Sequence, residues 1–474
     1  MFQPYDLTPL DHLIPVHINT SLTFSLIDKD RVEVFQRVED ATARLVSKFP
    51  FLTGMLVPST QPDGRNNSIQ VRPATAVELQ ERPFLVIQHH PESTTLTVDG
   101  KSNPVLMPFP IVYPQRHPSP VLRLKANIIG DNLHLVWCFD HLAIDGSGFF
   151  TLVSAFCDFC CDLNAPGPST TPHAQEEIRQ HMKAIASTAT PQDLQWITFP
   201  PVKIEKQVFT DFGRVPISSP LVLDGQKIEM LHDLCSSTLR SLPEEYREDY
   251  PEVSLPLDLI VSALVGICSS RARLRAFPEQ EPSSKIFIVE NIRKTLNLPR
   301  RYIGNAIVGA ESTCDSSAHP PHEALRNIHV PGPLSPIGPE DIWRICKFAQ
   351  TLQKEQGNLD KDCVQGMIAT MSHERDWSSF RPRWGVNFLV SNIRKASPYK
   401  SFGPLGDLQL FDLSFDTLPG FCWIMPNLPS DSPSPYLCWR LRWISERAIM
   451  ECLLGDPLFQ WASTPSTVSV HADT

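Results

Sequence analysis

No stretch of this sequence is apolar for long enough to cross a bilayer. The longest run, LDLIVSALVGIC at 257–268, has twelve residues where a spanning helix needs about 20. It reads instead as part of a buried helix over 256–271. The opening residues, MFQPYDLTPLDHLIP, lack a basic region followed by an apolar one, so no secretory signal is expected. The closing HADT is neither a retention nor a peroxisomal address. Cysteine is too sparse for a disulfide scaffold, with twelve in 474 residues. A reduced, cytoplasmic protein is the expectation. Positive charge is also short. A net charge of −10 leaves no surplus of Lys and Arg to meet phosphates over a broad surface, which argues against a nucleic-acid partner. Absent too are a phosphate-cradling GxxxxGK(S/T), a GxGxxG after a strand and a GxSxG nucleophile elbow. These gaps count against kinase, dinucleotide-dependent and α/β-hydrolase chemistry. No repeat of 20–50 residues and no long low-complexity tract occurs.

What is present is globular. Hydrophobic content of 42% with 20% charged residues can build a core, and the length exceeds one ordinary core, so two or three domains are expected. Val34, Val38, Ala41 and Leu45 recur at helical spacing over 31–48, and Pro50 follows the end. PVLRLKANII and LHLVWCFD, joined by Gly-Asp-Asn, read as a hairpin over 120–140. On its second strand Leu133, Leu135, Trp137 and Phe139 share one face, while His134, Val136 and Cys138 share the other. A helix is expected over 149–162, then a linker-like LNAPGPSTTPHAQ at 163–175. Further strands are expected at 285–290 and 386–391.

The junction after the hairpin, DHLAIDGSGF, carries the most chemistry. His141 has the side chain most often used as a base near neutral pH. Asp145 is placed to fix the backbone or meet an arginine. Gly146 and Gly148 permit a tight turn and a close approach. On these residues alone, base, metal ligand and strand-end histidine all remain open. CDFCCD at 157–162 offers a CxxC without a second pair, so it reads as an amphipathic helix rather than a zinc site. His89-His90 reads as a loop pair. No metal is expected.

Five segments then occur in one order: LTPLDHLIP at 7–15, KFPFLTGML at 48–56, the hairpin and junction at 120–148, IVENIRKTLNLPRRYIGN at 288–305, and MECLLGDPLFQW at 450–461. Together they resemble the BAHD-type acyl-CoA-dependent acyltransferases, in particular the fungal branch that includes trichothecene 3-O-acetyltransferase. The resemblance implies an α/β fold of two chloramphenicol-acetyltransferase-like lobes, each a mixed sheet with flanking helices, with a channel between them. It implies an N-terminal lobe at 1–175, a crossover at 176–215 and a C-terminal lobe at 216–474, with a segment near 380–410 returning to the first lobe.

It further implies His141 as general base and Asp145 as a structural carboxylate turned toward Arg293, with Gly146 in the turn between. The family's DFGWG-like segment corresponds to VSNIRKASPYKSFGPLG at 390–406, where Ser401 replaces the aspartate and Pro404-Leu405 replaces its Trp-Gly pair. Ser391 is the candidate oxyanion donor, and Asn392, at a position where relatives carry tryptophan, a possible helper. Asp140 replaces a second histidine found in many relatives, and strand alternation turns it away from the channel. The activity implied is O-acylation of a small secondary metabolite by acyl-CoA as co-substrate. No permanently bound cofactor, no membrane and a monomer are implied. A carrier-protein-dependent, condensation-like transferase and a non-catalytic binding protein of the same fold are the alternatives.

Overall fold

A computed structural model describes residues 2–59, 66–98, 101–110, 117–191, 216–241, 255–315, 320–326, 328, 330, 337–377, 388–414, 419–429 and 437–464. The strands that place the site are, in chain order, β1 (His17–Ser25), β2 (Leu85–His90), β3 (Leu122–Ile129), β4 (Asn132–Asp140), β5 (Pro216–Leu223) and β6 (Ser283–Asn291). They continue with β7 (Ile307–Asp315), β8 (Phe388–Asn392), β9 (Leu410–Ser414), β10 (Phe421–Ile424) and β11 (Trp439–Glu446). The main helices are α1 (Arg31–Lys48), α2 (Gly146–Cys161), α3 (Pro172–Thr188), α4 (Gly225–Ser241), α5 (Leu257–Ala276), α6 (Pro339–Gly357) and α7 (Lys361–His373).

Two mixed sheets organise the chain. The first has the order β9-β1-β4-β3-β2, the second β5-β11-β10-β8-β6-β7. The hairpin expected at 120–140 forms β3 and β4 around Gly130, whose φ of +56° suits a residue without a side chain. Leu133, Leu135, Trp137 and Phe139 enter the first core with Val34, Val38, Ala41 and Leu45 of α1, so the period-2 and period-3.6 faces meet as their spacing requires. α5 is buried nearly all round and centres the second core. A third cluster joins Leu10 and Leu13 to Ile292, Tyr302 and Met367, packing the N-terminal segment against the second half of the chain.

Some boundaries move. α2 begins at Gly146 rather than 149 because Asp145 caps it. α5 runs to Ala276, past the expected 271. His89-His90 is not a loop pair: both lie on β2, and His90 Nε2 meets Asn127 Oδ1 at 2.8 Å. The strand expected at 386–391 is β8, Phe388–Asn392, with 386 and 387 outside the described residues. Of the segment expected as crossover, α3 extends to Thr188, and 192–215 lie outside the described residues. β9 comes from the second half of the chain yet pairs with β1 of the first sheet, Leu410 opposite Thr23.

Ser401–Gly406 forms a closed turn beneath α2. Phe402 N donates to Gly406 O at 2.8 Å, and the Phe402 ring lies fully buried against Phe24 and Phe156. Gly403 has φ +59°, and a Cβ there would collide with the Cys160 carbonyl. Gly403→Ala should therefore lower unfolding free energy by at least about 2 kcal/mol in urea titrations, from left-handed strain plus the backbone clash. An unchanged midpoint would contradict this packing.

Candidate active site

β4 ends at Asp140, and the next five residues turn into α2. Asp140 is fully buried and holds the turn from beneath: its Oδ1 accepts from Leu142 N at 3.0 Å and its Oδ2 from the Ser119 hydroxyl at 2.8 Å. It does not line the cavity described below. His141 N donates to Val16 O at 2.8 Å, which fixes the backbone against the segment leading into β1.

Asp145 caps α2 by accepting from Gly148 N at 2.8 Å. Its two oxygens also accept both terminal nitrogens of Arg293, at 2.7 and 2.8 Å, and Oδ2 accepts from Ala306 N at 3.1 Å. Arg293 in turn donates to the carbonyls of Tyr302 and Gly304. The pair is 0% and 3% exposed. It joins the start of α2 to the loop after β6, 148 residues apart. This is the bidentate geometry in which a guanidinium and a carboxylate saturate one another. The carboxylate makes no hydrogen bond to the His141 ring.

Glycine serves this junction at Gly148, where an added Cβ would collide with the Ile303 backbone. Gly146 has open space around it and lines the cavity, so its part in the turn is not steric.

A second tie was not assigned from sequence. The Asn305 side-chain amide donates to the carbonyls of His141, at 2.6 Å, and Leu142, at 3.1 Å. Asp11 accepts from Asn305 N and Nδ2 and from Thr8 N and Oγ1. Burial raises the Asp11 carboxyl, and these four hydrogen bonds oppose that shift. Both residues sit inside motif segments, LTPLDHLIP and YIGN. The signal was therefore present, but only the fold brings the two together, 294 positions apart.

His141, Ser391 and Asn392 line one cavity of about 790 Å³ between the two sheets. The His141 ring is half-buried. Its Nδ1 is enclosed without a hydrogen-bond partner, which leaves Nε2 as the nitrogen that meets the cavity. Burial lowers the imidazole pKa, partly opposed by the negative charge of Asp145, so the ring is neutral at neutral pH. Ser391 and Asn392 end β8 opposite Trp423 and Ile424 of β10. Asn392 Oδ1 accepts from Arg394 N at 3.0 Å, which turns its amide nitrogen free of that bond. The Ser391 hydroxyl carries no protein hydrogen bond among the described residues.

The cavity rim carries Lys294, Arg300 and Arg301, all exposed, and Lys395, which reaches Asp258 at 2.7 Å. This local positive charge is invisible in a chain of net −10. The Ser401–Gly406 turn lies away from the cavity lining. Its departures from the DFGWG pattern fall where Phe402 and Leu405 do the packing. Cys157 and Cys160 are buried on α2, with thiols pushed up by burial, Cys157 to about 12. Among the described residues no three His, Cys, Asp or Glu side chains are grouped to hold a metal ion, and no helix is long and apolar enough to cross a membrane.

No family model matches the chain. It is 25% identical to fumigaclavine B O-acetyltransferase of Aspergillus fumigatus over 97% of each chain. It is also 25% identical to the O-acetyltransferase ptmV of Penicillium ochrochloron, over 98% of this chain and 96% of that one. Among solved structures it resembles TRI101 of F. sporotrichioides complexed with coenzyme A and T-2, with TM-score 0.70 and 16% identity over 98% and 99% of the two chains. It also resembles vinorine synthase, with TM-score 0.58 and 12% identity over 98% and 94%. These two likenesses establish the fold, α/β with two mixed sheets and flanking helices.

Removing either partner of the buried pair should be costly. Asp145→Ala and Arg293→Ala should each lose about 3–5 kcal/mol of stability, since each leaves a buried charge uncompensated. Thermal unfolding of the purified variants reads this directly, and wild-type stability in either variant would refute the structural role.

Proposed function

We infer that this chain, which belongs with the BAHD-type acyltransferases and their fungal O-acetyltransferase branch, moves an acyl group from acyl-CoA to a hydroxyl of a small secondary metabolite. The observation that carries this reading is the meeting, in one cavity with a cationic rim, of a neutral histidine from the first sheet and a hydrogen-bonding strand end from the second.

His141 Nε2 takes the proton of the acceptor hydroxyl as its oxygen attacks the thioester carbon. The carbonyl oxygen becomes an oxyanion, held by the Ser391 hydroxyl with the Asn392 amide beside it. The intermediate collapses, the carbon–sulfur bond breaks, and the imidazolium returns the proton to the leaving thiolate. The products are an ester and free CoA. No acyl-enzyme is required, because the thiolate leaves readily. Lys294, Arg300 and Arg301 suit the phosphates of CoA, as befits a chain whose structural relative was solved with coenzyme A. Base catalysis supplies roughly 10²–10⁴-fold, and a single oxyanion donor about 10²–10³-fold. Holding both substrates in one cavity adds to these.

His141→Ala should fold as the wild type does yet lose at least about 10²-fold in His-dependent CoA release from acetyl-CoA. Near wild-type kcat in that variant would overturn the assignment. Ser391→Ala should lower kcat by about 10²-fold with little change in KM for acetyl-CoA, and a change confined to KM would remove Ser391 from the oxyanion site. The working form of His141 is neutral and burial holds its pKa down. The acid limb of kcat/KM should therefore lie below the ordinary imidazole value of about 6.5, with activity flat above it. An acid limb above 7 would contradict a desolvated base.

A further inference from the structure

One row of side chains on the second sheet enters the catalytic cavity, and the strand register sets its members. β8 and β10 run parallel with Ser391 beside Trp423. On the other side of β8, Ile288 of β6 lies beside Val390, which carries Val289 next to Ser391. Val289, Ser391 and Trp423 all line the cavity. Paired residues of neighbouring strands lie about 4.8 Å apart and share a face, so the indole and the Ser391 hydroxyl occupy adjacent places on it. The cations lie on the opposite flank. Lys294, Arg300 and Arg301 follow β6, which β8 separates from β10 in the sheet.

Trp423 is held firmly. Its ring stacks on Phe421, with centroids 5.6 Å apart and planes 15° apart, and it is 8% exposed. It also joins the core of the first sheet, with Ile18, Phe139 and Leu413. Those three line the cavity with it. The wall beyond Ser391 is therefore built from large apolar side chains contributed by both sheets.

We propose that Trp423 closes the acyl pocket and restricts the donor to short acyl groups, acetyl above all. The proposal rests on the acyltransferase reading above, with Ser391 at the oxyanion. A thioester carbonyl carbon has three substituents in one plane. With its oxygen at Ser391 and its sulfur leading to the cations beyond β6, the acyl chain takes the remaining direction, toward Trp423. The acceptor oxygen attacks from outside that plane, beside His141. An acetyl methyl ends one bond, about 1.5 Å, from the carbonyl carbon. The four further methylenes of a hexanoyl chain reach about 5 Å beyond it, as far as the strand spacing between Ser391 and Trp423. That chain needs the space the indole fills, and a ring packed against both sheets yields only by giving up its own packing. Trp423 is thus a specificity-determining residue for the acyl donor.

The test compares acetyl-CoA with hexanoyl-CoA. One methylene in excess of a fitted pocket changes kcat/KM by about 10–200-fold. Wild type should therefore release CoA from acetyl-CoA with a kcat/KM at least about 10²-fold above that for hexanoyl-CoA. Trp423→Ala should bring the two within tenfold, chiefly by raising the hexanoyl rate, with the affinity for free CoA unchanged. If Trp423→Ala fails to fold, Trp423→Phe should raise the butyryl-CoA to acetyl-CoA ratio at least fivefold. Isothermal titration of the His141→Ala variant reads the same selectivity without turnover. It should bind hexanoyl-CoA at least tenfold more weakly than acetyl-CoA, and adding Trp423→Ala should remove the difference. Equal use of both donors by wild type would overturn the proposal. So would a folded Trp423 variant that keeps the wild-type preference, or one that loses it only through a slower acetyl reaction. Binding selectivity that follows Trp423 in a chain without His141-dependent CoA release would refute the catalytic reading alone. His141-dependent release whose chain-length preference ignores Trp423 would refute the acyl pocket alone.

Discussion

The ion pair between Asp145 and Arg293 is the constraint on which the site depends. It buries two full charges with almost no exposure, which is tolerable only because every strong donor and acceptor on both groups is used. Asp145 caps α2, receives Ala306 N and grips Arg293, while Arg293 satisfies two further carbonyls of its own loop. Breaking the pair therefore frees the helix start, the 291–306 loop and the His141 turn together. Asn305 adds a neutral tie to the same turn, donating to the His141 carbonyl while Asp11 holds Asn305.

This division of labour shapes the chemistry. With its carboxylate committed to backbone and arginine, Asp145 does not act as the partner in a hydrogen-bonded dyad. His141 is left with an enclosed Nδ1 and a cavity-facing Nε2, and desolvation, not a hydrogen-bonded carboxylate, dominates its pKa. An imidazole held neutral in this way can accept a proton without first losing one. The turn after the first sheet's β4 brings His141 and the second sheet brings Ser391 and Asn392, so the cavity they line exists only when the two sheets are packed. β9, crossing from the second half of the chain onto β1, secures that packing.

Much of this was legible in the sequence because it is local. Alternation in LHLVWCFD, the Gly-Asp turn and the apolar spacing of α1 each follow from neighbours a few residues apart, and each formed as its pattern requires. The pairing of Asp145 with Arg293 came through resemblance, and the geometry now gives it a physical cause. What stayed hidden is long-range. Asp11 and Asn305 are ordinary polar residues until folding brings them together. His89-His90 looks like a polar loop, but His90 meets an Asn127 that only the β2–β3 register supplies. The steric need at Gly148 depends on Ile303, and the cationic rim assembles from two separate loops.

A double-mutant cycle on Asp145→Asn and Arg293→Met, read by urea unfolding, tests the central claim most directly. A buried pair that locks the two halves predicts strong non-additivity. Each single variant should lose nearly as much stability as the double variant, giving a coupling of about 2 kcal/mol or more. Additive losses would show that Asp145 and Arg293 act separately, and the account of how His141 is held would fail with them.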